Sequence, residues 1–289
     1  MTDGGARLRA MLGKGLVQAM AAHSPLSARL AQEAGFAALW ASGFELSALY
    51  GLPDVSLITM SQHLEMTRAI IGACDVPVIA DLDTGHGNAV NVVHCVRAYE
   101  CAGVAAVVVE DKMFPKVTSL VAGGRQDLVR IEEFQGKIAA ALAARSGDLV
   151  VIARVEALIA GLGQQEALRR ADAYAEAGAD MVLIHSKQRT PDEIREFTSS
   201  WSGRVPLVLV PTAYPELSVA RIRDMQKVGL VIWGNHAIRA ATAAMQACFR
   251  QILADGSIAG VEGSIASVEE IFRLQRMDEV KALEQRFLR

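Results

Sequence analysis

The 289-residue sequence lacks several features that would assign it to a specialised class of protein. It has no strong charge of one sign, because its net charge is -3 at pH 7 and its isoelectric point is near 6.1. Neither a nucleic-acid partner nor an anionic membrane partner is therefore predicted. No run reaches the ~18 apolar residues that cross a membrane, and the first residues lack the apolar core of a secretion signal. We expect a soluble cytoplasmic protein.

Cysteine is also scarce and shows no functional spacing. No pair has C-x-x-C spacing, and no histidine stands at the distance found in zinc-binding motifs. The pattern is typical of small apolar residues in a reducing compartment rather than of disulfides or a metal site. The four cysteines are Cys74, Cys95, Cys101 and Cys248.

A repeated pattern of a helix, a glycine and a short apolar run marks the chain. In each copy the glycine can adopt the left-handed conformation that ends a helix. The run after it is apolar on both faces, as in a buried parallel strand. The four copies lie at 32–40, 100–109, 176–184 and 226–233. Similar apolar runs at 15–22, 76–84, 149–157 and 205–211 complete a set of eight predicted strands.

Helical segments separate most of these strands. The clearest are 24–35, 131–145 and 167–178. Eight strand–helix units in 289 residues predict an α/β fold, a (β/α)8 barrel of the TIM type. A doubly wound open sheet is the alternative.

Two more helices are predicted after the eighth strand, at 238–256 and 267–288. Ser267 and Glu270 have the spacing of a capping box at the start of the second helix. The last helix exceeds what a minimal barrel needs, and its apolar residues need a surface to cover. We therefore expect one barrel domain over 1–289, with extra C-terminal helices 238–289 that pack on a partner subunit.

Carboxylates follow two adjacent predicted strands, at the end where barrel enzymes carry their chemistry. Asp81 and Asp83 are two residues apart and so share one face of their strand. Glu110 and Asp111 end the next strand. Neighbouring carboxylates repel unless a cation lies between them, and oxygen ligands suit Mg²⁺. The cluster favours a metal site, although each acid alone could cap a helix or pair with a base.

Other polar side chains end the remaining predicted strands. Arg154 lies in an apolar strand, where burial requires an anionic partner, either a substrate oxygen or a neighbour such as Glu156. His185 could donate to a substrate or be a structural residue at the barrel rim. Ser42 and the backbone amides after it could bind a carboxylate. The longest predicted loop, 114–127, is typical of a lid.

These motifs together resemble the phosphoenolpyruvate mutase/isocitrate lyase superfamily. The likeness runs along nearly the whole chain and is most specific in one segment, EDKMFPKVTS at 110–119. It implies a barrel that exchanges its last helix with a second subunit, in homodimers that pair into tetramers. It also implies a divalent cation, Mg²⁺ or another hard ion such as Mn²⁺ or Co²⁺, and a small 2-oxo acid substrate. The other matching motifs are WASG at 40–43, DLDTGHGN at 81–88, ARVEALIAG at 153–161, HSK at 185–187 and VIWGNH at 231–236.

The resemblance also assigns roles to individual residues. It implies that Asp81, Asp83 and Glu110 hold the metal, directly or through water. The implied substrate-binding residues are Trp40, Ser42, Gly43, Phe44, Asp81, Arg154, His185 and Ser119. The implied catalytic residues are Thr118, Lys116, Arg154, His185 and Asp54.

Two departures from the superfamily's patterns select a branch. The carbon–carbon lyases carry a Lys-Lys-Cys-Gly-His motif where this chain has EDKMFPK, and the mutases carry Asn where it has Thr118. A hydroxyl can attack phosphorus or orient a water, whereas an amide cannot be the nucleophile. The predicted activity is Mg²⁺-dependent hydrolysis of the carbon–phosphorus bond of phosphonopyruvate to pyruvate and phosphate. The alternatives are the mutase reaction and carbon–carbon cleavage of a 2-oxo or 2-hydroxy acid.

Overall fold

Eight parallel strands form a closed barrel in the computed structural model, which describes residues 4–121, 123–124 and 126–288. The strands are β1 Val17–Ala22, β2 Ala38–Ala41, β3 Val78–Asp81, β4 Ala106–Glu110, β5 Val150–Val155, β6 Met181–Ile184, β7 Leu207–Leu209 and β8 Val228–Trp233. Each strand pairs with its neighbours in chain order, and β8 closes the barrel against β1. The predicted (β/α)8 barrel is confirmed, and the open-sheet alternative is wrong.

Helices alternate with these strands along the chain. Several begin at a side chain that accepts hydrogen bonds from the first free amides, among them Ser24, Thr59 and Asn88. The helices are α1 Gly4–Leu12, α2 Pro25–Glu33, α3 Gly43–Leu49, α4 Met60–Ala73, α5 Ala89–Cys101, α6 Ile131–Ala144, α7 Gly163–Glu176, α8 Asp192–Ser200, α9 Val219–Asp224, α10 His236–Asp255, α11 Val268–Leu274 and α12 Met277–Phe287.

The strand sequences explain how the barrel packs. In β4, Ala106 and Val108 belong to a cluster of small and branched side chains inside the barrel. Val107 and Val109 belong to a second cluster, between the strands and the helices. Because successive side chains of a strand face opposite sides, a strand buried on both sides is apolar throughout. Polar residues are tolerated only where the strand ends, and this is where the site lies.

The C-terminal segment differs from the prediction. Residues 267–288 form two helices, α11 and α12, rather than one. The break lies at Arg276, which adopts a left-handed conformation with φ 57°. Ser267 caps α11 as predicted, accepting from the amide of Glu270 at 3.1 Å. The Glu270 carboxylate binds Arg273 instead of closing the capping box.

The chain divides into two compact units, residues 1–237 and 238–289. The first contains the barrel, and the second contains most of α10 together with α11 and α12. In the second unit large apolar side chains are exposed, including Phe249 at 64%, Leu253 at 86% and Phe287 at 63%. None of the helices in the described ranges combines the length and the hydropathy of a membrane span.

Candidate active site

The predicted site residues surround one cavity at the carboxyl ends of the barrel strands. Its volume is about 60 Å³, enough for a few water molecules or a small acid. The residues that line it are Trp40, Ser42, Phe44, Asp54, Asp81, Lys116, Thr118, Ser119, Arg154 and His185, with further residues that the sequence did not predict. Gly43, Asp83 and Glu110 each contact a lining residue. The predicted residues are therefore brought together, while their individual roles stay predictions.

The end of β2 and the start of α3 form one wall. Trp40 lies in β2, is 4% exposed and lines the cavity. Ser42 caps α3, because its hydroxyl accepts from the amide of Glu45 at 3.3 Å. The amide of Gly43 donates to Asp81 Oδ2 at 3.2 Å. This amide is directed at the carboxylate and not at the cavity.

Any side chain at position 43 would crowd the carboxylates of Asp81 and Asp83. A Cβ atom there would lie 2.8 Å from Asp83 Oδ1 and 3.3 Å from Asp81 Oδ2. Asp81 Oδ1 in turn accepts from the amide of Asp83 at 3.2 Å. The two carboxylates share one small volume at the end of β3. They do not share a face of the strand as predicted, because β3 ends at Asp81 and Asp83 follows in a left-handed conformation with φ 51°.

A lysine from the loop after β4 lies among these acids. Lys116 Nζ is 2.6 Å from Asp83 Oδ1, an ion pair without hydrogen-bond alignment, and 2.9 Å from Asp54 Oδ1. Burial by itself would lower the pKa of Lys116, but the attraction of Asp83 and Asp54 outweighs it and raises the pKa well above its usual value. Burial raises the pKa of Asp83 to about 7 despite the opposing effect of Lys116. The carboxylates are therefore only partly compensated by the lysine.

Glu110, at the end of β4, lacks a partner on one of its oxygens. It is 1% exposed, and its Oε2 lies 3.4 Å from Nε of Arg154. Its Oε1 is buried and has no hydrogen-bond partner in the described part of the chain. A buried carboxylate oxygen without a partner is costly, and a bound cation would remove that cost.

The donor set suits a hard divalent cation. Asp81, Asp83 and Glu110 offer only carboxylate oxygens, which are the ligands that Mg²⁺ prefers. No three His, Cys, Asp or Glu side chains in the described ranges are placed to hold an ion by themselves. Mg²⁺ usually keeps several waters and takes one or two carboxylates directly, so it does not need such a cluster. The residues present fit a partly hydrated Mg²⁺ ion.

Arg154, in β5, pairs with acids and also lines the cavity. Its Nε donates to Glu156 Oε1 at 2.5 Å, and its strand neighbour in register is Glu110. Burial would lower the pKa of Arg154, but Glu156 and Glu110 outweigh burial and raise it. The two interpretations of Arg154 offered by the sequence are thus compatible, because one side of the guanidinium is held while the side chain still faces the cavity.

His185, directly after β6, is a neutral side chain at this site. It is 5% exposed and lines the cavity. Burial, and then the positive charge of Arg154, lowers the pKa of His185 to about 4. Its Nδ1 is buried and has no hydrogen-bond partner among the described residues. His185 can therefore offer a hydrogen bond to a ligand but not a positive charge at neutral pH.

The described residues of the segment after β4, 112–121, 123–124 and 126–128, which we name the lid, contribute one side of the cavity. Lys112 and Leu128 pair in an antiparallel bridge that closes the base of this loop. The predicted loop, 114–127, lies within it, and residues 122 and 125 fall outside the described part of the chain. The lid residues that line the cavity are Lys112, Lys116, Thr118, Ser119 and Leu120.

Thr118 lines the cavity, and its hydroxyl makes one long hydrogen bond. Its Oγ1 accepts a long hydrogen bond, 3.5 Å, from the amide of Leu120. Its carbonyl accepts from Nε2 of Gln126 at 3.2 Å, which fixes the backbone. Among the described residues, no histidine or carboxylate forms a hydrogen bond with this hydroxyl. The geometry contains no base positioned to activate it.

Asp111 does not contribute to the cavity. Its Oδ2 accepts from Nη1 of Arg170 at 2.9 Å and from the hydroxyl of Tyr174 at 2.7 Å, both on α7. Adjacent residues of an extended segment face opposite sides, so Glu110 turns toward Arg154 and Asp111 toward the helices. The acid cluster at the end of β4 is therefore smaller than the sequence indicated.

Sequence reasoning also missed residues of the site. Lys112, to which the sequence assigned no role, lines the cavity and is 1% exposed. Glu156, which the sequence offered as a partner of Arg154, is fully buried beside it and forms that pair. Gly234 and Asn235, which lie in the VIWGNH motif, also line the cavity, whereas no signal identified Leu120, Val210 and Thr212.

Comparison with known proteins identifies the family. A profile of the phosphoenolpyruvate phosphomutase family matches residues 8–253. The chain belongs to this family. The phosphonopyruvate hydrolase of Variovorax sp. (strain Pal2) is 61% identical to it over 284 residues, which cover 98% of this chain and 98% of that protein. The family resemblance predicted from the motifs is confirmed.

Two solved structures have the same fold. A crystal structure of phosphonopyruvate hydrolase in complex with oxalate and Mg²⁺ is 59% identical, has a TM-score of 0.94 and is matched over 100% of both chains. A phosphoenolpyruvate phosphomutase from Streptomyces platensis subsp. rosaceus is 48% identical, with a TM-score of 0.96 over 99% of this chain and 100% of that chain. Backbone similarity does not separate the two activities, whereas sequence identity favours the hydrolase.

Proposed function

We propose that this protein is a phosphonopyruvate hydrolase, which uses Mg²⁺ to convert phosphonopyruvate and water into pyruvate and phosphate. The observation that carries the proposal is the 61% identity, along 98% of the chain, to the Variovorax hydrolase. The site supports it, because the residues suited to this chemistry line one cavity under a lid. Thr118 of that lid is the residue that distinguishes hydrolysis from the mutase reaction.

Three carboxylates would hold the metal ion. Asp81, Asp83 and Glu110 would bind Mg²⁺ directly or through water, and Mn²⁺ or Co²⁺ would suit the same oxygens. When bound, the ion supplies Lewis-acid stabilisation to negative charge on the keto acid oxygens. Because Lys116 already compensates Asp83 and Asp54 in part, the ion and the lysine together bring the buried acids closer to neutrality.

Three side chains would handle the charge that develops in the reaction. The carbon–phosphorus bond breaks, its electron pair stays on carbon as pyruvate enolate, and a proton then converts the enolate into pyruvate. Arg154 is a fixed cation at the cavity wall and would bind oxygens that carry this charge. His185 is neutral and would donate a hydrogen bond. Lys116 would neutralise phosphonate oxygens, with Asp54 holding its ammonium group in place.

Thr118 would orient the water that accepts the phosphoryl group. Direct attack by a threonine needs a base within hydrogen-bond reach, and the described surroundings of Thr118 offer none. Thr118 lines the cavity, where its hydroxyl would hold a water in line with the departing carbon. The lid would admit this water and exclude bulk solvent. The keto acid would lie against the opposite wall, formed by Trp40, Ser42, Gly43 and Phe44.

A product assay tests the proposal. The protein is incubated with phosphonopyruvate and Mg²⁺, and the products are identified by phosphorus NMR and a pyruvate assay. Equimolar phosphate and pyruvate are expected. Phosphoenolpyruvate would instead identify a mutase, and turnover only of oxaloacetate or a methylisocitrate-like acid would identify a carbon–carbon enzyme. Thr118→Val should lose phosphate release, while the matched variant Thr118→Ser keeps the hydroxyl and should retain it.

We also propose a cytoplasmic homo-oligomer, a dimer of helix-swapped dimers, as the resemblance to the superfamily implies. The exposed apolar side chains of α10 and α12, such as Leu253 and Phe287, support it because a second copy would cover them. Light scattering should give a tetramer mass for the native protein and a smaller species for Leu253→Glu. A native monomer would contradict the proposal.

A further inference from the structure

The hydroxyl of Ser119 makes three hydrogen bonds beneath the lid. It accepts from Lys112 Nζ at 2.6 Å and from Arg154 Nη2 at 3.0 Å. It donates to Glu156 Oε2 at 2.7 Å. A serine hydroxyl has one hydrogen and two lone pairs, and here the two cations and the carboxylate fix the direction of every bond. Ser119 has no hydrogen-bonding capacity left for a substrate while these contacts last.

The ammonium group of Lys112 also contacts three oxygen atoms beneath the lid. Its ammonium group lies 2.9 Å from the carbonyl of Val117, 2.6 Å from Ser119 Oγ and 3.1 Å from Glu156 Oε2. The first two contacts are hydrogen bonds, and the third is an ion pair. Two of the three acceptors belong to the lid, and the third belongs to the barrel. Lys112 is 1% exposed and is held at the base of the lid by its bridge to Leu128. If Val117 and Ser119 moved away from this base, the buried ammonium group would be left short of partners.

Glu156 joins this group to the barrel. Its side chain is fully buried and binds Lys112, Ser119 and Arg154 at once. Its backbone amide donates to Asp111 Oδ1 at 2.9 Å, which ties the segment after β5 to the segment after β4. In the described part of the chain Glu156 does not line the cavity. It can therefore act on a ligand only through other side chains.

We propose that Lys112, Ser119 and Glu156 form a latch that holds the lid closed, and that Glu156 is a positioning residue that orients Arg154. When the lid is closed, Ser119 completes the hydrogen bonds of both cations and of the carboxylate. When it opens, Arg154 loses the bond to Ser119 that fixes its Nη2. Closure of the lid and alignment of the guanidinium are thereby one event.

A buried ion pair adds little to stability compared with an apolar pair of the same volume. Stability of the fold therefore does not explain why Lys112 and Glu156 are buried. A contact that forms when the lid closes and breaks when it opens explains their burial better. The latch itself does not depend on the reaction catalysed. Only the consequence for Arg154 rests on the proposed function.

Hydrogen–deuterium exchange of the whole protein tests the latch without turnover. Two lid amides report on closure, since that of Met113 donates to the carbonyl of Asp127 and that of Lys116 to Ser56 Oγ. In Ser119→Ala their exchange should be about ten to a hundred times faster, as expected when several hydrogen bonds of a local closed state are lost. Glu156→Gln should have a similar effect. The double variant should match the larger single effect, because both changes release the same latch.

Glu176→Gln is the matched control. Glu176 forms an exposed pair with Arg204, so this variant loses the same charge without touching the lid. The latch would be overturned if the amides of Met113 and Lys116 exchanged as slowly in Ser119→Ala as in the control variant and the melting temperature were unchanged. If Glu156→Gln does not fold, Ser119→Ala alone tests the latch, because that variant keeps the charges of Lys112 and Glu156.

Steady-state kinetics on phosphonopyruvate test the positioning of Arg154. Glu156→Gln should lower kcat at least tenfold with a smaller change in KM, because Arg154 would be misaligned in the transition state. An unchanged kcat would overturn this role for Glu156. A wild-type protein inactive on phosphonopyruvate would refute the proposed function but not the latch, since amide exchange is measured without substrate.

Discussion

Replacing Lys116 by methionine tests the charge balance of the site without a measurement of turnover. Methionine has a similar length but no ammonium group. Lys116 is 4% exposed and lies 2.6 Å from Asp83 and 2.9 Å from Asp54. The variant therefore leaves two buried carboxylates without their nearest cation. Breaking a buried ion pair by removing one partner typically costs about 3–5 kcal/mol of unfolding free energy.

The lower end of this range is expected at neutral pH. Asp83 can take up a proton, because burial has raised its pKa to about 7 even with Lys116 beside it. A loss of about 3 kcal/mol lowers the melting temperature by roughly 6–12 °C in a protein of this size. Added Mg²⁺ should raise the melting temperature of Lys116→Met more than that of the wild type, because the ion then supplies the missing positive charge.

Differential scanning calorimetry in EDTA, and then in Mg²⁺, measures both effects. Lys281→Met is the matched control, since Lys281 lies on the exposed surface of α12 beside Asp278 and should leave the melting temperature unchanged. A Lys116→Met protein that melts with the wild type in EDTA would refute the ion-pair reasoning. If Mg²⁺ shifted neither protein, the three-carboxylate metal site would be wrong.

Four further predictions concern turnover, metal binding and acid stability. Thr118→Ala should lower the rate of phosphate release by about 10²–10³ with little change in melting temperature, and unchanged release would refute its role. EDTA should stop turnover and Mg²⁺ should restore it, so full activity of the metal-stripped protein would count against the site. Gly43→Ala should weaken Mg²⁺ binding in calorimetry at least tenfold, because its Cβ displaces Asp83 Oδ1; equal affinity would contradict this. Burial lowers the pKa of His63 from 6.5 to about 4, so the folded state binds fewer protons between these values and stability rises with pH there. His63→Asn should reduce that slope by up to about 1.4 kcal/mol per pH unit in urea titrations, and an identical slope would disprove the assignment.

The strands could be predicted because local sequence specifies them. Most of the apolar runs are buried on both faces, as shown by β4, and several follow a glycine that ends a helix. Once the barrel is inferred, the ends of the strands must meet at one edge, and this brings Asp81, Glu110 and Arg154 together. The register confirms it for one pair, since Glu110 and Arg154 are neighbours on β4 and β5.

The positions of the lid residues could not be predicted because tertiary contacts decide them. Lys116 contacts Asp83 from a backbone position that is held by Ser56, sixty residues earlier in the chain. The latch also depends on residues that are distant in sequence, since Lys112 begins the lid and Glu156 follows a different strand. The break at Arg276 has no strong local signal either, because the apolar periodicity continues across it.

The site has two sides of opposite charge, and this polarity bears on the choice of substrate. On one side the buried acids exceed Lys116 and call for a cation. On the other side Arg154 and Lys112 carry more positive charge than Glu156 compensates, which favours an anion beside Arg154. Phosphonopyruvate suits both sides, because it can share a metal ion with the acids and is itself an anion that Arg154 can bind. The acid side consists of Asp54, Asp81, Asp83 and Glu110.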